Sequence, residues 1–93
     1  ESTLDAVEEL KQKGYFVYSI EQVEGSENMA KISLDASKSY AVVLGNEVKG
    51  VEQAVVNASD SCLEIPQLGT KHSLNVSVTA GIVVWEFAKQ LVL

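Results

Sequence analysis

Apolar residues recur along this chain with two alternating rhythms. Leu4, Val7 and Leu10 stand at helical spacing after Ser2 and Thr3, either of which can cap a helix, and Gly14 supplies a stop. A helix over about 3–13 is expected. The run YFVYSI at 15–20 is aromatic and β-branched, and the polar EGSEN at 24–28 closes it, which predicts a buried strand. Residues 29–37 hold only Met29, Ile32 and Leu34 as large apolar positions, too few to set a period, and a short helix or turn is expected there. YAVVL at 40–44 is continuously apolar, as a strand covered on both faces should be, and Gly45 ends it. Val51, Ala54, Val55 and Ala58 then predict a helix over 51–58, and CLEI at 62–65 a brief strand stopped by Pro66. From Asn75 to about Leu91 apolar residues cover more than one face. A helix of that kind is expected to be buried by the sheet on one side and by another element or subunit on the other. Its β-branched content leaves a strand over 76–84 as the competing reading.

Alternating helices and strands in so short a chain argue for an α/β fold with an open parallel sheet, whose ligands sit at the carboxyl ends of the strands. Ninety-three residues make one small domain, and 46% hydrophobic with 22% charged residues is the balance of a folded one. At this size only about 60–65% of the chain's surface can be buried, so a second subunit or a further segment would add to stability.

Charge narrows the function. The net charge is −6, and the seven basic residues are all lysines, with no arginine. Nucleic-acid affinity rests largely on Lys and Arg displacing counterions, so this chain alone is expected to bind RNA poorly. The lone Cys62 can form no internal disulfide, and no secretory leader pattern is visible, which points to a reducing, cytoplasmic setting. Glu86, Lys89 and Gln90 interrupt the last apolar run, so no membrane span is expected. The chain begins at Glu1 rather than Met and is expected to be a piece of something longer.

Three stretches carry candidate chemistry: VVLGNEVKGV at 42–51, LEIPQLG at 63–69 and SLNVSVTAGI at 73–82. Two follow predicted strands, where Gly, Pro and small polar residues let backbone groups approach a nucleoside. Leu44, Gly45, Asn46, Glu47, Val48, Lys49 and Gly50 fit an L-G-x-E-x-x-G pattern. Ile65, Pro66, Gln67, Leu68 and Gly69 fit I-P-x-x-G, followed by S-L-N-V-S at Ser73 to Ser77. In this order and context they resemble the second and third signatures of the knotted RNA ribose 2′-O-methyltransferases of the SpoU/TrmH type, within the SPOUT superfamily. The resemblance covers most of the chain. Val48 stands where that family usually has glycine and Gln67 where it often has methionine, which puts cofactor affinity in question.

The resemblance implies a methyl transfer from S-adenosyl-L-methionine to a ribose 2′-hydroxyl of tRNA or rRNA, with residues 1–93 as the C-terminal segment of a single catalytic domain. It implies a C-terminal trefoil knot and a homodimer packed through the terminal helix. Gly45, Ile65 and Leu74 would hold the cofactor, and Glu47, Ser73 and Asn75 would support catalysis. The family's first signature, an Asn-rich turn with an essential arginine, falls upstream of Glu1, so the chain alone is expected to be inactive. No metal is implied.

Each residue also has a plainer reading. Glu47 can simply complement a helix N-terminus, and Ser73 and Asn75 can cap the last helix. His72 reads as a solvated loop residue rather than a general base, and Cys62 as a buried strand residue, with no second Cys or His at metal-ligand spacing. Trp85 and Phe87 read as core or dimer contacts. Two rival functions stand beside the transferase: a cofactor- or nucleotide-binding module without catalysis, and a dimerisation domain with inherited loops.

Overall fold

A computed structural model describes residues 2–46, 49–66 and 76–93 of the chain. Helix α1 spans Thr3–Gln12; the Ser2 hydroxyl accepts the Asp5 N–H at 3.2 Å as its cap. Gly14, at φ +92°, turns the chain into strand β1, Tyr15–Ile20, at an angle that side chains rarely adopt. The chain continues through β2, Glu27–Asn28, a single turn of 3-10 helix at Met29–Lys31, and β3, Ser39–Val43. Helix α2 follows at Gln53–Ala58, then β4, Ser61–Glu64, and α3, Val76–Leu91.

The four strands form one sheet in the order β2-β4-β1-β3, with every pairing parallel. Strand β1 lies inside it, with Phe16 opposite Tyr40 and Ser19 opposite Cys62. Alternation along β1 separates two cores, because successive side chains leave opposite faces. Val17 joins Val7, Val51 and Val55 beneath α1 and α2. Tyr18 joins Met29, Leu63 and Val83 beneath α3, where Phe16, Tyr40 and Phe87 complete an aromatic cluster. Ser19, fully buried on the α1/α2 face, shares a hydrogen bond with the Ser59 hydroxyl at 2.6 Å.

The elements match the expected ones with ends shifted by one or two residues. Two outcomes go further. Strand β2 has no counterpart among the expected elements, because Glu27 and Asn28 are polar. It pairs by backbone at the sheet edge, and Ser61 donates to the Glu27 carboxylate at 2.6 Å while Ser26 donates to Glu64 at 2.5 Å. In the last segment the helix prevails over the strand. Val83, Phe87 and Gln90 stand at i, i+4 and i+7 on one face, the first two packing into the aromatic core. Gln90 fastens that face: Leu34 N–H donates to its Oε1 at 2.7 Å, and its Nε2 donates to the Ile32 carbonyl at 3.2 Å.

The opposite face of α3 is open. Val84 and Trp85 are 66% and 59% exposed, so Trp85 is not a core residue of this chain. An apolar groove of about 470 Å³ runs between α3 and β3, lined by Tyr40, Val42, Leu44, Val83, Val84 and Phe87 among others.

Candidate functional site

Because the strands are parallel, their carboxyl ends share one edge, and both candidate stretches start there. Beyond β3 the chain passes Leu44 and Gly45 and doubles back on itself. Asn46 N–H donates to the Gly50 carbonyl at 3.2 Å, Gly50 N–H returns to the Asn46 carbonyl at 2.7 Å, and Lys49 N–H donates to Asn46 Oδ1 at 3.0 Å. This closure explains both glycines of the stretch. A Cβ on Gly45 would lie 2.5 Å from Val51 N and 2.7 Å from the Gly50 carbonyl oxygen, closer than side-chain carbons ever come. Gly50 takes φ +71°, in the left-handed region.

Glu21, the residue after β1, ties this turn to the sheet, although no sequence motif marks it. Val51 N–H donates to Glu21 Oε2 at 3.2 Å, and a Cβ on Gly50 would fall 2.6 Å from that same oxygen. Glu21 N–H in turn donates to the Leu63 carbonyl of β4 at 3.0 Å. One residue thus joins the 45–51 turn to the strand that leads into Ile65. The sequence signal is positional only: a carboxylate at the carboxyl end of a buried strand.

Ile65 follows β4 and packs, half-buried, against the core beneath α3. Gly45 and Ile65 therefore flank the end of β1 on the same edge of the sheet, about 10 Å apart at two strand spacings. Glu47, Leu74, Ser73, Asn75 and His72 lie outside the described residues. Cys62 is buried in β4, and burial followed by the charge of Glu21 pushes its thiol pKa up, so it stays a protonated packing residue. Among the described residues no group of three His, Cys, Asp or Glu is placed to hold a metal, and no helix is long and apolar enough to cross a membrane.

A sequence model of the SpoU rRNA Methylase family matches residues 1–85. The chain is 32% identical over 90 residues to the tRNA (guanosine(18)-2′-O)-methyltransferase TARBP1 of Mus musculus, covering 97% of this chain and 6% of that protein. Its fold superposes on the TrmH/SpoU tRNA modifying enzyme of A. aeolicus with a TM-score of 0.84 and 31% identity, over 97% of this chain and 45% of that one. An AdoMet-bound rRNA methyltransferase of Sinorhizobium meliloti aligns with a TM-score of 0.82 and 27% identity, over 98% of this chain and 34% of its own. The chain spans less than half the length of each. Taken with the parallel sheet and the glycine turn at its carboxyl edge, these matches have one reading: the chain belongs to the SpoU rRNA methylase family.

Proposed function

We propose that the protein containing this chain transfers a methyl group from S-adenosyl-L-methionine to a ribose 2′-hydroxyl of tRNA or rRNA. In this reading, residues 1–93 are the C-terminal segment of its single catalytic domain and form the cofactor pocket, a C-terminal trefoil knot and the dimer helix. The observation that carries the proposal is the closed glycine turn at 45–50 on the carboxyl edge of a parallel sheet, in a chain the family model matches over 1–85. The names of its relatives, tRNA and rRNA methyltransferases, and the AdoMet-bound neighbour support it.

The residues present fit such a ligand. Gly45 lets the turn beyond β3 close tightly against Gly50 and Val51 at the strand end, and Ile65 supplies an apolar flank across β1; backbone groups beside apolar side chains are the mixture that nucleoside sites use. Leu74 is assigned to the same pocket. When bound, S-adenosylmethionine supplies an already activated methyl on a sulfonium. What remains for the protein is alignment of the ribose oxygen for in-line attack and removal of its proton. Glu47, Ser73 and Asn75 are assigned to organising the site. The chain has no arginine and a charge of −6, so proton removal and most phosphate contacts fall to residues outside these 93. The protonated, lone cysteine fits a reducing cytoplasm.

Two measurements test this. In a radiolabelled methyl-transfer assay on bulk tRNA and rRNA, the full-length protein should yield 2′-O-methylated product and the 93-residue chain none. Transfer by neither, with cofactor still bound, would favour the non-catalytic module. Sedimentation should give a dimer through the open face of α3, where Val78 is 51% and Val84 66% exposed. Trp85→Glu should dissociate it, and a wild-type monomer at high micromolar concentration would remove the dimer helix from the account.

A further inference from the structure

We propose that Glu21 is a positioning residue that fixes the 45–51 turn relative to β4 and so sets the affinity of the pocket for its adenosine cofactor. This rests on the cofactor reading above. Strands β3 and β4 are separated by β1, so no β3–β4 pairing can hold the Gly45 and Ile65 loops in register. The connection must come from the residue that leaves β1 between them.

Glu21 makes it from both ends. Its N–H extends the β1–β4 pairing through the Leu63 carbonyl at 3.0 Å, which anchors its backbone to the strand carrying Ile65 two residues on. Its carboxylate crosses the other way and accepts Val51 N–H at 3.2 Å. A residue with a side chain at position 50 would place its Cβ 2.6 Å from Glu21 Oε2, so the missing side chain of Gly50 is what admits the carboxylate. Gly45 is in turn stacked against Gly50 and Val51, leaving no slack between the cofactor-binding position and the Glu21 contact. Displacing the carboxylate therefore displaces the turn.

Reach and hydrogen-bonding capacity, not charge, are the required properties. Glu21→Gln keeps an oxygen acceptor at the same length, Glu21→Asp draws the acceptor back by one methylene, and Glu21→Ala leaves Val51 N–H without its partner. The test places these three substitutions in the full-length protein and reads S-adenosylhomocysteine binding by calorimetry, together with the Michaelis constants for cofactor and RNA.

E21A and E21D should weaken cofactor binding about tenfold or more, the loss expected when the buried Val51 N–H is left without its hydrogen-bond partner. They should raise the cofactor KM while leaving the RNA KM unchanged, and E21Q should stay within about threefold of wild type. Folded E21D or E21A with wild-type cofactor affinity would overturn the proposal, as would E21Q failing as badly as E21A. If E21A does not fold, E21D against E21Q decides alone, since both retain a polar side chain. Wild-type protein that binds no S-adenosylhomocysteine would instead strike at the pocket assignment, a separately visible outcome.

Discussion

Replacing Gly45 with alanine tests the closed turn most sharply. The added Cβ would lie 2.5 Å from Val51 N and 2.7 Å from the Gly50 oxygen, where ordinary contact begins at 3.4 Å. These are backbone atoms, so no rotamer change can absorb the overlap, and the 50–51 segment must retreat by roughly 1 Å. The two Asn46–Gly50 bonds, now 3.2 and 2.7 Å, would then stretch beyond useful length. At about 1 kcal/mol net for each, with some residual strain, the expected cost is about 2–3 kcal/mol. Gly81 provides the control. It lies within α3 with nothing within 4 Å of an added Cβ, so Gly81→Ala should stabilise by about 0.5–1 kcal/mol through helix propensity. Urea unfolding followed by far-ultraviolet circular dichroism measures both. A Gly45→Ala protein within about 0.5 kcal/mol of wild type, the effect of a surface substitution, would refute the steric argument.

Leu63, fully buried on β4 beneath α3, should cost about 2–5 kcal/mol when cut to alanine, read by the same unfolding curves. Gln90→Ala should leave the Leu34 N–H and Ile32 carbonyl unpartnered, costing about 1–3 kcal/mol, and hydrogen exchange at the Leu34 amide should accelerate. Burial, then the charges of Glu27 and Tyr40, push the Tyr18 phenol from its ordinary 10.0 up to about 12. The folded state therefore holds this proton more tightly than the unfolded chain does. Stability from this group is intact below pH 10 and is lost as pH rises from 10 towards 12. Tyr18→Phe should remove that alkaline loss and the phenol that ionises near pH 12 in an ultraviolet titration.

The alternating rhythms made most of the fold legible, since β1, β3 and β4 are apolar enough to mark themselves and α1 announces both ends through Ser2 and Gly14. Strand β2 was hidden because its two polar residues enter the sheet by backbone pairing and Ser–Glu bonds, which leave no hydrophobic trace. For α3 the apolar excess was legible but its division was not. Which residues face the sheet depends on Phe87 meeting the aromatic cluster and Gln90 meeting the 32–34 segment, both long-range contacts. In the candidate site Gly45 and Gly50 were visible through their pattern. Glu21 was not, because its partner lies 30 residues away and a glutamate after a strand looks like any solvated carboxylate.

The central claim is that the carboxyl edge around Gly45 and Ile65 binds the cofactor. Titrating the isotopically labelled full-length protein with S-adenosylhomocysteine and following backbone amide resonances tests it directly. Saturable shifts concentrated at Gly45, Gly50, Val51 and Ile65 are expected, with residues of α1 unmoved. Saturable binding whose shifts fall elsewhere, leaving these four amides unchanged, would contradict it.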